Sequence, residues 1–566
     1  MSPEVPEYAR TRLIAYIGNK RALLPFLLPV FLEVEAEAKI SRFLDPFAGS
    51  GAVSRLARSL GWSVMANDVE EYSRAVNTAW LGVSADELPF LFAPDGGMDA
   101  VLESLNGMHP DRGDRVAPCP VEPYIARHYA PASTADADWR RERLFYTSEN
   151  AMFLDRARCA IDWLFPDHGS EHSILLGLLV YEAATHANTS GVFKAYHKGF
   201  GGHGRDALGR IMAPMKLEPP LLWKGLPSEV CCGDAASFCA GRSADLCYLD
   251  PPYNQHQYGS NYHLLNTIAR WDRPPVSDER TADGSLRSAA GIPPSWKASR
   301  SAFCSKVTAG AAFRDLLSSV DARSILLSYN TEGIVPAEEL FELLSDRADV
   351  SLRSLDYVKY RGGRQSASSQ VRNREILFLA RRRESPGRIV AENCAASLEL
   401  AELKVDLRLA RALAGPFDPE AFRKLCGGGE VLPFSSAVAS VELRSRDCLL
   451  LEEDSIDIAM TLDRQGKEAL SDLLEPVLLA DNAAACAAVA GLIEAGAHDP
   501  KLQGLALGWL RKLAHRGYEE SFRVLSLRLV AAAMGKPEKL APLAEGVLEV
   551  TALFDRRMEG RRRYSS

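Results

Sequence analysis

The chain has 566 residues, is 47% hydrophobic and carries a formal net charge of −8, so it can bury a large core and form roughly two to four domains. It has no apolar run of the ~18 residues that a membrane span needs. The acidic segment Met1 to Glu7 lacks the apolar core of a secretory signal peptide. The 11 cysteines are scattered without a Cys-x-x-Cys pair. These features predict a cytoplasmic protein with reduced thiols and no zinc site.

The amino-terminal segments alternate between predicted helices and strands. The sequence Tyr16-Ile17-Gly18-Asn19-Lys20 precedes an apolar helix over Leu23 to Phe31. Phe43 to Gly51 reads as a short strand that runs into a glycine-rich turn, and Ala52 to Leu60 follows with helical spacing. A strand, a glycine turn and a helix form the first half of a nucleotide-binding βαβ unit, because glycine allows close approach of the backbone to a ligand.

A second strand, Ser63 to Asp68, ends at an acid that can accept hydrogen bonds from two ribose hydroxyls. The spacing from Gly51 to Asp68 is close to that of a dinucleotide-binding fold. At this point, NAD binding and a purely structural glycine turn both remain alternatives.

Residues 81–228 interrupt the alternation and are predicted to be mainly helical. Tyr146 to Asn150 is typical of a helix start, and Ile174 to Tyr181 is apolar nearly all round, which predicts a buried helix. From Asn188 to Arg205, basic residues are interleaved with aromatic residues and glycines. This mixture favours a nucleic-acid groove.

The most informative stretch is Asp250-Pro251-Pro252-Tyr253, which follows Cys232 to Phe238 and the apolar run Leu246 to Leu249. The run predicts a buried strand, and the two prolines cannot extend a sheet. The carboxylate and the ring are therefore left at the carboxyl end of the strand, where open α/β sheets bind ligands.

A further apolar strand, Ile325 to Leu327, precedes Ser328 to Gly333. Beyond it, Arg353 to Arg383 contains nine basic residues against two acids, a local charge of +7. Val350 to Tyr360 and Glu375 to Ala380 are predicted to pair as strands around a basic loop, Arg361 to Ser366. Such a loop could contact phosphates, and the alternative is a solvated hairpin.

Residues 386–566 are predicted to be mostly helical. Leu398 to Leu413 is helical, Val431 to Met460 has strand-like stretches, and Ala/Leu-rich helices follow from Lys467. Paired helices of this kind suggest an accessory module.

Taken together and in this order, the motifs resemble the Dam-like (alpha-type) family of DNA adenine N6-methyltransferases, which are class I S-adenosylmethionine-dependent enzymes. The resemblance covers about residues 11–383. The family's first motif often reads Gly-Gly-Lys, where this chain has Gly18-Asn19-Lys20. The resemblance implies an α/β fold with a Rossmann-like, doubly wound sheet over residues 1–80 and 229–385. It also implies a mainly helical target-recognition insert over 81–228 and a mostly helical accessory domain over 386–566.

The resemblance also implies functional residues. The catalytic residues would be Asp250, Pro251, Pro252 and Tyr253. S-adenosylmethionine would contact Tyr16, Lys20, Asp45, Phe47, Gly49, Gly51, Asp68, Asp234, Phe238 and Asp250. Among these, Lys20 would meet the methionine carboxylate, Asp68 the ribose and Asp234 the adenine amine. The DNA-binding candidates are Lys194, Tyr196, Lys198, Arg205, Tyr258, Arg361 and Arg364.

The implied function is site-specific methylation of the N6 amine of a flipped adenine in double-stranded DNA, without a metal. Restriction-modification or phage defence would be the setting, with possible defence-system partners at 386–566 and a location near the nucleoid of a prokaryote. Two alternatives stay open: methylation of RNA or protein, and a catalytically silent DNA-binding scaffold.

Overall fold

The computed structural model of the protein describes residues 4–110, 117–201, 206–356, 374–383, 391–514 and 516–562. The chain divides between Ser397 and Leu398 into two compact units. No helix within these ranges is long and apolar enough to cross a membrane. All 11 cysteines are unpaired in this structure.

The first unit is built on a seven-stranded sheet. Its strands are β1 Arg42–Asp45, β2 Ser63–Asp68, β3 Glu229–Cys232, β4 Ser243–Leu249, β5 Asp321–Asn330, β6 Ala348–Asp356 and β7 Arg374–Arg382. The order across the sheet is β3-β2-β1-β4-β5-β7-β6. Strands β1 to β5 pair in parallel, and β7 lies antiparallel to both β5 and β6. The predicted α/β fold of class I methyltransferases is confirmed.

Strand β4 shows why the sheet forms. Leu246, Cys247, Tyr248 and Leu249 are each at most 1% exposed, so both faces of this strand are covered. Continuous apolar runs are typical of parallel strands with both faces buried. Since β1, β2 and β4 are parallel neighbours, their carboxyl-terminal acids (Asp45, Asp68 and Asp250) lie along one edge of the sheet.

Helices surround this sheet. Before β3 they are Glu7–Arg10, Leu24–Glu37, Ala52–Ser59, Glu71–Leu81, Leu88–Leu91, Met98–Asn106, Ile125–Tyr129, Ser148–Leu164, Ser170–Thr185 and Ala207–Met212. After β3 they are Ala235–Cys239, Tyr258–Asn261, His263–Arg270, Ala309–Ser319 and Ala337–Ser345. The predicted helix start near residue 147 is observed, because the Thr147 side chain accepts a hydrogen bond from the Asn150 N–H (3.2 Å).

The predicted pairing of β6 and β7 is also observed, but most basic side chains placed on these strands are engaged in ion pairs. Arg381 pairs with Glu33 and Glu37, and Arg382 pairs with Asp321 (2.7 Å). The positive charge of these strands is therefore largely neutralised locally. The basic loop that includes Arg361 and Arg364 lies outside the described residues.

The second unit combines a small sheet with helices. Its strands β8 Val431–Ser435, β9 Ser440–Arg446 and β10 Leu450–Leu451 form an antiparallel sheet in the order β10-β9-β8. Its helices are Pro419–Leu425, Glu453–Met460, Arg464–Leu474, Asn482–Glu494, Pro500–Leu513, Glu519–Gly535 and Pro537–Arg562, and the helix Ala391–Leu413 leads into it. The last four helices bury a common apolar core in which the rings of Phe522 and Phe554 lie 4.1 Å apart.

A chain truncated after Ser397 should remain soluble and keep its affinity for S-adenosylmethionine, because every motif that carries the predicted chemistry precedes that residue. The cut is placed there because Asn393 accepts a hydrogen bond from the Val350 N–H (2.6 Å) of β6. Calorimetry and thermal unfolding of the truncated chain, with the full chain as control, measure both properties. Aggregation, or a lost affinity, would show that the first unit depends on the second.

Candidate active site

A cavity of about 430 Å³ opens where β1, β2 and β4 end. It is lined by eleven of the residues predicted for cofactor binding or catalysis, and by Tyr258. These eleven are Tyr16, Lys20, Asp45, Phe47, Gly49, Asp68, Asp234, Asp250, Pro251, Pro252 and Tyr253. The predicted motifs, which extend from Tyr16 to Tyr253 in the chain, are thus brought to one place.

The glycine turn forms one wall of the cavity. Gly49 and Gly51 have φ values of +51° and +78°, which L side chains rarely adopt. A Cβ at Gly51 would overlap the side-chain oxygen of Asn77, and one at Gly49 would lie 3.1 Å from the Tyr16 ring. Gly51 itself does not line the cavity. Both glycines are therefore required by the turn, Gly49 beside the cavity and Gly51 behind it.

Two acids fix this turn. Asp68 accepts hydrogen bonds from the backbone N–H groups of Gly49 (2.9 Å) and Glu70 (3.0 Å). Asp45 accepts one from the Ser54 hydroxyl (2.6 Å), and burial raises the pKa of Asp45 to about 7. Burial also raises the pKa of Asp68. The predicted contact of Asp68 with a ribose stays a prediction, and the structure gives this side chain a role in shaping the turn.

Glu70 is a cavity residue that the sequence did not single out. Its side chain accepts a hydrogen bond from the Asn266 amide (2.5 Å), and burial raises its pKa to about 7. The neighbouring acid, Glu71, instead pairs with Arg74. Both acids follow Asp68 closely, and nothing in the local pattern distinguishes the buried one from the other.

Asp234 and Phe238 occupy different environments. Asp234 is exposed at the cavity and caps the helix Ala235–Cys239 by accepting the Ser237 N–H (2.9 Å). Phe238 is buried, does not line the cavity, and lies under the guanidinium of Arg242 (4.6 Å). The predicted contacts of Asp234 with the adenine amine of the cofactor and of Phe238 with the cofactor stay predictions.

The turn after β4 presents Asp250 and Tyr253. Tyr253 is 7% exposed, and its ring meets that of Tyr329 edge to face at 6.2 Å. Its carbonyl accepts a hydrogen bond from the Ile334 N–H (2.9 Å). The Asp250 side chain is 16% exposed, and one of its oxygens lies 3.0 Å from Lys20 Nζ. The turn is thus held on both sides at the mouth of β4.

Lys20 is buried between two carboxylates. Besides Asp250, it pairs with Glu375 on β7, which also accepts a hydrogen bond from the Ser328 hydroxyl (2.6 Å). Burial by itself lowers the pKa of Lys20. The attraction of the two carboxylates outweighs this effect, so the pKa of Lys20 lies well above its ordinary value. Burial raises the pKa of Asp250 to about 6, although Lys20 opposes the shift.

The predicted contact between Lys20 and a cofactor carboxylate stays a prediction, because the structure shows Lys20 paired with protein carboxylates. Glu375 was not predicted as a site residue. One feature of the sequence could have indicated this role: Glu375 is a single acid directly before the apolar run Ile376 to Ala380. A charged side chain in a buried strand needs a partner.

Aromatic rings cover the opposite side of the glycine turn. Tyr16 lies 5.3 Å from both Tyr258 and Tyr262, measured between ring centroids. The Tyr258 hydroxyl donates to the Ile17 carbonyl (3.3 Å). Tyr258, which was predicted to contact DNA, therefore lines the same cavity as the predicted cofactor residue Tyr16.

Comparison with known proteins bears on this site. The family model for the D12 class of N6 adenine-specific DNA methyltransferases matches residues 16–89 and 173–283, which contain the glycine turn, Asp68 and the Asp250 to Tyr253 turn. Over these residues the chain is similar to the D12 class. This similarity supports adenine-specific methylation of DNA.

Individual methyltransferases are also similar to this chain in sequence. The chain is 29% identical over 369 residues to the Type II methyltransferase M.NlaIII of Neisseria lactamica, which covers 64% of this chain and 97% of that protein. It is 28% identical over 369 residues to the Type II methyltransferase M.CviAII of Paramecium bursaria Chlorella virus 1, with the same coverage. It is also 28% identical over 333 residues to the modification methylase LlaI of Lactococcus lactis, covering 58% of this chain and 48% of that protein. About a third of this chain lies outside the first two alignments.

The residues predicted to contact DNA differ in their exposure and in their hydrogen bonding. Lys194 and Lys198 are exposed, and Lys198 Nζ lies 4.6 Å from the centroid of the Trp139 ring. The Tyr196 hydroxyl is engaged, because it donates to the carbonyls of Trp139 (3.0 Å) and Glu142 (2.9 Å). Arg205, like Arg361 and Arg364, lies outside the described residues. Their contacts with DNA stay predictions.

One group of side chains in the described ranges has a spacing that could hold a metal ion, namely Asp162, His168 and His172. None of the three lines the cavity. Asp162 already accepts hydrogen bonds from Arg158 and from His172 (2.8 Å). Hydrogen bonding within the protein accounts for this cluster.

Proposed function

We propose that this protein transfers a methyl group from S-adenosylmethionine to the N6 amine of an adenine that is flipped out of duplex DNA at a specific sequence. The observation that carries the proposal is the single cavity shared by the glycine turn and the Asp250 to Tyr253 turn. A methyl donor and an acceptor base can meet only where both halves of the site line one space.

The cavity suits this cofactor. Gly49, with a positive φ, places its backbone beside the cavity, and the Tyr16 ring lies close to Gly49. Carboxylates at Asp68, Glu70 and Asp234 offer acceptors for hydroxyl and amine groups. When bound, S-adenosylmethionine supplies an electrophilic methyl group.

The residues of the catalytic turn would prepare the adenine. The exocyclic nitrogen is a poor nucleophile because its lone pair is delocalised into the ring. Asp250 would accept one amine hydrogen bond and the Pro251 carbonyl the other, which draws the nitrogen toward tetrahedral geometry. With a pKa of about 6, Asp250 is mostly ionised above neutral pH and can accept this bond. Flipping costs a few kcal/mol, which stacking on Tyr253 would help to offset.

Tyr253→Phe should retain most activity, whereas Tyr253→Ala should lose much of it. Stacking needs the ring rather than the hydroxyl, and it contributes about 1–3 kcal/mol per base. The measurement is kcat/KM for DNA for both purified variants, with thermal unfolding as the control for folding. Equal losses in the two variants would indicate a chemical role for the hydroxyl and contradict the stacking role.

Transfer of a radiolabelled methyl group to DNA, RNA and protein substrates tests the proposal. We expect label only in DNA. After digestion of the DNA to nucleosides, the label should be recovered as N6-methyldeoxyadenosine. Label in RNA or protein would favour the other substrates, and cofactor binding without transfer would favour a silent scaffold.

A role in restriction-modification is also proposed, since relatives carry the names Type II methyltransferase and modification methylase. The second unit would then provide a surface for defence-system partners, and the enzyme would reside with the host DNA. Loss of the gene in a host that carries the matching nuclease should expose the host DNA to cleavage.

A further inference from the structure

Glu375 is a deeply buried carboxylate that contacts the cavity residue Lys20, and the chemistry described so far does not use it. It is 1% exposed, whereas the side chains of Lys20 and Asp250 are 7% and 16% exposed. It lies on β7, next to β5, and Glu375 is directly opposite Asn330 in the pairing register. Its two neighbours are the Lys20 ammonium and the Ser328 hydroxyl.

A buried carboxylate without a function is costly, because removing its charge from water must be offset by pairing. A single ion pair between Lys20 and Asp250 would already neutralise both groups. The second carboxylate therefore changes the balance: two carboxylates now share one ammonium, and the group of three keeps one net negative charge beside the cavity.

This distribution of charge bears on the reaction. If Lys20 formed an ion pair with Asp250 alone, the Asp250 carboxylate would be a weaker acceptor for an amine hydrogen. Sharing Lys20 with Glu375 leaves Asp250 with more acceptor strength, and the net negative charge favours the positive charge that the target nitrogen gains as the methyl group arrives.

We propose that Glu375 is a positioning residue for methyl transfer: together with Ser328 it holds the Lys20 ammonium against Asp250, so that Asp250 is oriented but not neutralised. This inference rests on the proposed function. It assigns to Lys20, Glu375 and Ser328 a role toward the catalytic acid rather than toward the cofactor carboxylate.

Several titratable groups affect Asp250, and they must be considered in any pH measurement. Lys20 lowers its pKa and Glu375 raises it. Tyr248 and Tyr253 interact with Lys20, and Asp45 interacts with Asp250 across the cavity. Because Glu375 raises the pKa of Asp250, its neutralisation should lower that pKa. The acid limb of the activity profile, expected near pH 6 in the wild type, should then move to lower pH.

The test compares Glu375→Gln, Glu375→Asp and Ser328→Ala with the wild type for methylation of DNA. For Glu375→Gln we expect kcat to fall ~10- to 100-fold, as for a misplaced catalytic group, with the KM for S-adenosylmethionine nearly unchanged. Its acid limb should lie at lower pH. Glu375→Asp keeps the charge and should keep the wild-type limb while losing part of kcat. Ser328→Ala, which keeps both charges, should lower kcat without moving the limb.

The matched control is Glu342→Gln, an exposed acid on the helix Ala337–Ser345, which should behave as the wild type. A soluble Glu375→Gln with wild-type kcat and an unmoved limb would overturn the proposal. If this variant does not fold, a Ser328→Ala variant with wild-type kcat would overturn it instead. A wild-type enzyme that methylates no DNA would contradict the proposed function itself, which is a distinguishable failure.

Discussion

Replacing Asp250 with alanine should reduce methyl transfer by at least ~100-fold, comparable to the loss of one preorganised electrostatic contact. The fold should survive, because Lys20 keeps Glu375 as a partner and no buried ammonium is left unpaired. The measurement is the single-turnover rate on DNA with saturating S-adenosylmethionine.

Asp346→Ala, which removes an exposed acid from the same unit, is the matched control and should retain full activity. Thermal unfolding of both variants separates a catalytic loss from a folding loss. Near-normal turnover by a folded Asp250→Ala variant would contradict the mechanism.

Gly51→Ala should weaken the binding of S-adenosylmethionine by ~10-fold or more. Two effects act on this substitution: an L residue at a left-handed φ is strained by roughly 1–2 kcal/mol, and the new methyl group overlaps Asn77. Asn77 donates to the Gly49 carbonyl (3.1 Å), so its displacement disturbs the wall of the cavity. Calorimetry of cofactor binding measures the result.

Gly61→Ala separates the two effects. Gly61 has a φ of +88°, close to that of Gly51, but a Cβ there would meet no atom within 4 Å. This variant should share the backbone strain and yet bind the cofactor normally. Equal affinities of the two variants would show that the overlap with Asn77 has no part in cofactor binding.

The sequence predicted the parts of the fold whose causes are local. An apolar run that ends in two prolines specifies β4 and its turn, and closely spaced glycines specify the turn after β1. Thr147 predicts the start of its helix, because its side-chain hydroxyl caps a backbone N–H only three residues away. In each case the deciding interaction lies within one short window.

The contacts that were not predicted join distant parts of the chain. Lys20 and Glu375 are 355 residues apart, and Glu70 and Asn266 are 196 apart. Such pairs depend on the complete sheet and not on any local pattern.

Arg58 was likewise unpredictable as a buried residue. In the helix Ala52–Ser59 it is 3% exposed, because it donates to the carbonyls of Leu81 and Val83 at the end of another helix. Composition alone would place an arginine at the surface.

Single-molecule sequencing of DNA from a host with and without this gene tests the central claim most directly. The account predicts N6-methyladenine at nearly every copy of one short sequence when the gene is present, and its absence when the gene carries Asp250→Ala. Identical adenine modification in the presence and absence of the intact, expressed gene would contradict the assignment of this chain as a site-specific DNA adenine methyltransferase.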